Sequence, residues 1–143
     1  MVIETDFLEK CVATLSKALD FYNSSESDSI EREMYRSACI KEFEIILEQT
    51  GKLLRKCLKP YFHSPKEVDK LVFKEVFRNA ALRTILTTEE AERWLQYRDN
   101  RNNTAHDYGV GFAEETLLLL PQFIIDAQNT VKAIQNFNLN NES

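Results

Sequence analysis

The chain has 143 residues, enough for one domain with a real core and too few for two. Hydrophobic residues make up 43%, as in globular proteins, while three Gly and three Pro argue against an all-β fold with its many tight turns. A net charge of −5 and a pI near 5.1 exclude a general nucleic-acid coat protein, which relies on broad phosphate neutralisation, but leave room for a local basic groove.

Taken in chain order, the pattern predicts helices throughout. Phe7, Leu8, Cys11, Leu15, Leu19 and Tyr22 recur at spacings of three and four, an amphipathic helix over 5–23. The Ser/Asp-rich stretch Asn23 to Ser29 reads as a loop, with Asp28 and Glu31 as a capping pair for a long helix over 29–58. Tyr35, Cys39, Phe43, Ile46, Leu53 and Cys57 form that helix's apolar stripe, and Pro60 stops it. Ser64-Pro65-Lys66-Glu67 predicts the start of a third helix carrying Val68, Leu71, Val72 and Val76. Thr87-Thr88-Glu89-Glu90 opens a fourth, with Trp94 and Leu95, and Gly109 and Gly111 punctuate its exit. A fifth, over 112–137, aligns Leu117, Leu120, Ile124, Ala127, Val131 and Ile134, with Pro121 expected to kink or restart it. The expectation is all-α: an up-and-down antiparallel bundle of four to five helices forming one domain over 1–137, with a frayed polar tail over 138–143.

Chemistry-bearing residues are sparse. Cys11, Cys39 and Cys57 are odd in number and form no CxxC, which suits reduced, buried thiols in a cytoplasmic protein. Neither histidine has ligand-like spacing, so no metal or cofactor is expected. No signal peptide or membrane span is apparent. His63 falls in a loop and reads as solvent-facing or structural. Lys52, Arg55, Lys56 and Lys59 cluster where the long helix ends. A solvated turn complementing the helix dipole is one reading, and positive charge for RNA is the other.

The most informative stretch is Arg101-Asn102-Asn103-Thr104-Ala105-His106-Asp107-Tyr108. A histidine titrates near neutrality, and an arginine carries a fixed charge matched to phosphate oxygens. On a continuous helix five residues is about 140° of rotation, so Arg101 and His106 converge only if the helix bends or ends, or if a second subunit contributes. Asn102 and His106 share a face. On spacing alone, the end of a helix and a phosphate site are both open. Arg98 either adds a phosphate contact or pairs with a neighbouring acid such as Asp99.

The string Arg101-Asn102-x-x-Ala105-His106-x-Tyr108 resembles the signature of the HEPN superfamily, and the trailing tyrosine resembles its HepT-like toxin branch. Arg36-x-x-Cys39-Ile40-Lys41-x-Phe43-Glu44-Ile45-x-x-Glu48, then Lys52-Leu53-Leu54-Arg55, is similar to the second helix of nucleotidyltransferase substrate-binding proteins. Ser64 to Val68, Phe73-Lys74 and Trp94-Leu95-x-x-Arg98-x-x-Arg101 follow in the same order, while Asn79 to Leu86 departs from the pattern. The resemblance implies a homodimeric helical bundle with the motif in a cleft near the dimer interface. It implies a metal-independent endoribonuclease toxin, with a minimal nucleotidyltransferase as antitoxin. His106 is then the general acid/base, Arg101 stabilises phosphoryl charge, Asn102 and Arg98 contact RNA or nucleotide, and Tyr108 is the target of nucleotidylation. The alternative is a non-catalytic subunit that binds substrate or nucleotide for a separate nucleotidyltransferase, with no need of a general base. A plain structural dimer is a third.

Overall fold

The computed structural model describes residues 2–104 and 110–141, with side chains described outside 103–112, so His106 and Tyr108 lie outside the described residues. Among the described residues six helices follow one another: α1 (Asp6–Ser24), α2 (Ile30–Leu58), α3 (Pro65–Asp69), α4 (Phe73–Leu82), α5 (Thr88–Thr104) and α6 (Val110–Asn140). A 3₁₀ turn over Lys59–Tyr61 ends α2 at Pro60. There are no strands among the described residues. The expected all-α bundle is therefore correct in class. Its count rises from four or five to six because the stretch expected to be one third helix is two.

The break between α3 and α4 has a tertiary cause. Arg55 on α2 donates through Nη2 to the Leu71 carbonyl at 2.6 Å, holding the connection against α2. Glu75 in the first turn of α4 then accepts from the Val72 amide at 3.1 Å, which caps the new helix. Two caps differ from expectation. Ser29, not Asp28, accepts from the Arg32 amide at 3.0 Å, while Asp28 takes a left-handed φ of 63° that aspartate tolerates. Ser64 makes no side-chain cap bond, and Glu67 reaches back to the His63 amide at 3.1 Å. The Thr87 box forms as read: the Glu90 amide donates to Thr87 Oγ1 at 3.1 Å and the Thr87 amide to Glu90 Oε1 at 2.9 Å.

The C-terminal helix narrows one expectation and corrects another. It runs through Pro121 without a restart. It also continues to Asn140, past the start of the expected tail, because Asn138 is anchored: its side chain accepts from the Ile3 amide and donates to the Ile3 carbonyl, both at 2.9 Å.

The core is built around α2, which packs against α1, α4, α5 and α6. Four fully buried aromatic residues, Phe43, Phe77, Trp94 and Phe123, come from α2, α4, α5 and α6. Their ring centroids lie 4.7–5.5 Å apart, with Tyr97 edge-on to Trp94 and Phe123. Such pairs add about 0.5–1.5 kcal/mol each beyond simple burial.

Among the described residues, one fully buried charge interrupts this apolar interior. Asp126 on α6 is fully buried. Arg93 on α5 grips it with two 2.8 Å hydrogen bonds, Tyr97 donates at 2.5 Å and Gln122 at 3.2 Å. Burial pushes the Asp126 carboxyl up, but the donors from Arg93, Tyr97 and Gln122 outweigh it and hold the group below its ordinary value near 3.8. Burial and the neighbouring carboxylate push the Tyr97 phenol up, so it stays a donor.

Removing the carboxylate strands a guanidinium and a buried phenol. Asp126→Ala is expected to lower unfolding free energy by about 3 kcal/mol, the low end for a broken buried pair, because the Arg93 side chain keeps 35% exposure. A depressed carboxylate contributes stability above its unfolded pKa and loses it as pH falls through the folded value. The urea midpoint should thus hold steady toward acid until about pH 4 and then fall, and Asp126→Asn should show a shallower acid limb. Equal acid limbs would remove Asp126 as a source of this dependence.

Candidate functional site

Helix α5 carries two stripes about one residue step, or 100°, apart. Arg93, Tyr97 and Asn100 face α6: the first two hold Asp126, and the Asn100 amide donates to the buried Thr116 hydroxyl at 2.9 Å. The other stripe is Trp94, Arg98 and Arg101. Trp94 enters the core, and the two arginines line a groove against α2 and α4.

This groove has a volume of about 650 Å³. Among the described residues five cations line it, Lys41, Lys52 and Arg55 from α2 with Arg98 and Arg101 from α5, against two carboxylates, Glu44 and Glu48. Phe73, at the start of α4, packs its ring against Gly51 of α2, where an added Cβ would lie 3.6 Å from the ring. The Arg98 guanidinium lies over the Phe73 ring, 4.8 Å from its centroid. Burial, Arg101 and Arg55 push the Arg98 pKa down, with Glu48 opposing them. Cations that repel one another in this way favour an anion among them. Lys52 pairs with Glu48 at 3.7 Å, an exposed i,i+4 contact worth little. Arg55 Nε is buried with no acceptor.

Among the sequence-derived candidates, Arg98 and Arg101 come together in the groove. Arg98 sits on Phe73 rather than pairing with Asp99. Asn102 is exposed and does not line the groove. His106 and Tyr108 lie outside the described residues. Of the basic cluster ending α2, Lys52 and Arg55 face the groove, while Lys56 and Lys59 do not line it. His63 is exposed, as expected. Sequence reasoning missed Lys41 and did not count Phe73 as part of a site. The signal was present: Lys41, Glu44, Glu48, Lys52 and Arg55 recur at three to four residues, a charged stripe along α2.

The remaining groups offer little chemistry. The three cysteines are free and buried, and burial raises the Cys39 thiol to about 11 and Cys57 to about 12, far from thiolate reactivity. Among the described residues, no three His, Cys, Asp or Glu side chains cluster as metal ligands, and no helix is long and apolar enough to cross a membrane.

Comparison with known proteins agrees with the resemblance seen in the sequence. The family described as "Nucleotidyltransferase substrate binding protein like" matches residues 4–138. A Haemophilus influenzae protein named probable ribonuclease HepT is 23% identical over 110 residues, spanning 77% of this chain and 74% of the relative. The fold superposes on Haemophilus influenzae HI0074, described as showing the fold of a substrate binding domain of a nucleotidyltransferase, with a TM-score of 0.78 and 19% identity over 92% of this chain and 99% of that one. A Thermus thermophilus protein gives a TM-score of 0.70 and 26% identity over 89% and 98% of the two chains. The match over nearly the whole chain shows that this protein belongs to the nucleotidyltransferase substrate-binding protein family and is a distant homologue of ribonuclease HepT.

Proposed function

We propose that this protein is the ribonuclease toxin of a toxin–antitoxin pair, a metal-independent endoribonuclease neutralised by a partner nucleotidyltransferase. The observation that carries the reading is the convergence of Arg98 and Arg101 with Lys41, Lys52 and Arg55 in one groove of an otherwise acidic chain. Phosphate is the anion such a set of donors fits. Homology to a probable ribonuclease supports RNA as its bearer.

In this mechanism His106 takes the proton of an RNA 2′-hydroxyl as the 2′-oxygen attacks the adjacent phosphorus. The bond from phosphorus to the 5′-oxygen breaks, and that oxygen leaves with the proton returned by the His106 imidazolium. Products are a 2′,3′-cyclic phosphate and a 5′-hydroxyl. Arg101 stabilises charge on the phosphoryl oxygens, Arg98 binds the RNA backbone, and Asn102 orients His106 or binds phosphate. Dependence on the 2′-hydroxyl selects RNA over DNA. The partner silences the toxin by transferring a nucleotidyl group to the Tyr108 oxygen with release of pyrophosphate, adding bulk and negative charge at the cleft. The functional unit is a homodimer. The family description favours one other reading, a non-catalytic subunit that binds substrate or nucleotide for a separate nucleotidyltransferase.

Purified protein should cleave RNA in EDTA and leave cyclic phosphate ends. His106→Ala should lower the rate roughly 10²–10⁴-fold and Arg101→Ala roughly 10²–10³-fold, with melting temperatures preserved. Wild-type protein that binds nucleotide or RNA without cleaving it would transfer the assignment to the binding-subunit reading.

Incubation with the partner nucleotidyltransferase and ATP should add nucleotide mass to wild type and not to Tyr108→Phe, and the Phe variant should stay toxic when the partner is co-expressed. Equal labelling of the two removes Tyr108 from this role.

Sedimentation at micromolar concentration should give a dimer mass. A stable monomer would sink the homodimeric cleft.

A further inference from the structure

The groove contains a feature that phosphate binding alone does not call for. Phe73 stands half-exposed among the cations, whereas Phe77, one turn further along α4, is fully buried against Trp94. Phe73 meets Phe77 at the edge of the core, with ring centroids 4.4 Å apart, and beyond that contact its ring rests on Gly51 and carries the Arg98 guanidinium. Aromatic rings and guanidinium planes are the two protein surfaces on which unpaired bases stack.

We propose that the groove is a subsite for an unpaired nucleotide of single-stranded RNA, with the Arg98 guanidinium, seated on the Phe73 ring, taking the base and Lys41, Lys52 and Arg55 the flanking phosphates. It rests on the RNA-directed reading of the Arg101 site and names the substrate class that reading leaves open. The dimensions suit it: about 650 Å³ falls within the range of clefts that hold small organic ligands, about 300–1,000 Å³. So does the charge, which is cationic where the chain as a whole carries −5. Lys52 exchanges its weak contact with Glu48 for a phosphate at little cost. Duplex RNA keeps its base faces stacked on one another, so the Phe73–Arg98 pair gives it nothing, and the site discriminates by strandedness without reading sequence.

Binding of a short, uncleavable 2′-O-methyl RNA, followed by fluorescence anisotropy across a salt series, tests this independently of catalysis. Phe73→Leu keeps apolar bulk beside Phe77 and removes the aromatic face that seats Arg98. It should weaken single-strand binding by roughly 5- to 100-fold with the salt slope unchanged. Lys52→Gln should lower the slope by about 0.7, one phosphate contact on a single strand. Lys56→Gln, an exposed cation outside the groove, should change neither. The wild type should prefer the single strand to a duplex of the same length. Single-strand affinity unmoved by Phe73→Leu, a wild type that binds duplex as tightly, or no RNA binding at all would overturn the subsite. If melting shows that Phe73→Leu fails to fold, the Lys52 slope and the strand preference of the wild type decide. Cleavage without these dependences sinks the subsite alone, and these dependences without cleavage sink the ribonuclease reading alone.

Discussion

The site depends on how α5 is turned about its own axis, and the Asp126 clamp fixes that turn. A carboxylate inside an apolar bundle is costly unless its oxygens are fully engaged. Here two donors from Arg93, one from Tyr97 and one from Gln122 engage them. Arg93 and Tyr97 lie four residues apart on one face of α5, so holding both against one carboxylate leaves the helix no freedom to rotate. Asn100 repeats the constraint one turn later through Thr116. With that face committed to α6, the adjacent stripe has to present Trp94 to the core and Arg98 and Arg101 to α2. An apolar contact in place of Asp126 would pack the same helices with a less strictly specified rotation.

The second wall of the groove has its own long-range fastening. Arg55 reaches from α2 to the Leu71 carbonyl, stops α3, and sets where α4 begins. That places Phe73 beside Gly51. One side chain therefore ends a helix, fixes a ring and contributes charge to the groove. Its buried Nε without an acceptor accords with a residue placed for more than local satisfaction.

What the sequence made legible, and what it did not, divides along sequence separation. The reciprocal Thr87–Glu90 cap was readable because both partners lie within one turn. The apolar stripes of α1, α2 and α6 were readable because burial follows helical period. The α3–α4 break was not, since no Gly or Pro marks Lys70 to Val72 and its cause sits on α2. The end of α6 was misjudged for the same reason: Asn138 looks like a tail residue until Ile3 is placed beside it. The arginines of the motif stood out as residue types suited to phosphate, but their company did not. Lys52 and Arg55 fit a solvated C-terminal turn equally well while α2 is considered alone. Asp126, like Lys41, was missed despite a local signal: it is a lone acid within the apolar run of α6.

The groove and the core are linked by opposing energetics. Burial and the nearby charges of Arg101 and Arg55 push the Arg98 pKa down, with Glu48 opposing them, so the groove cations repel one another. This repulsion favours motion that spreads α5 from α2. The aromatic contacts of Trp94 with Phe77 and Phe123, and the carboxylate clamp on the adjacent stripe, resist that motion. An anion in the groove relieves the repulsion, so binding and folding draw on the same charges with opposite sign. Neutralising a groove cation should then weaken anion binding without a matching loss of fold stability, except at Arg55, whose bond to the Leu71 carbonyl is structural as well.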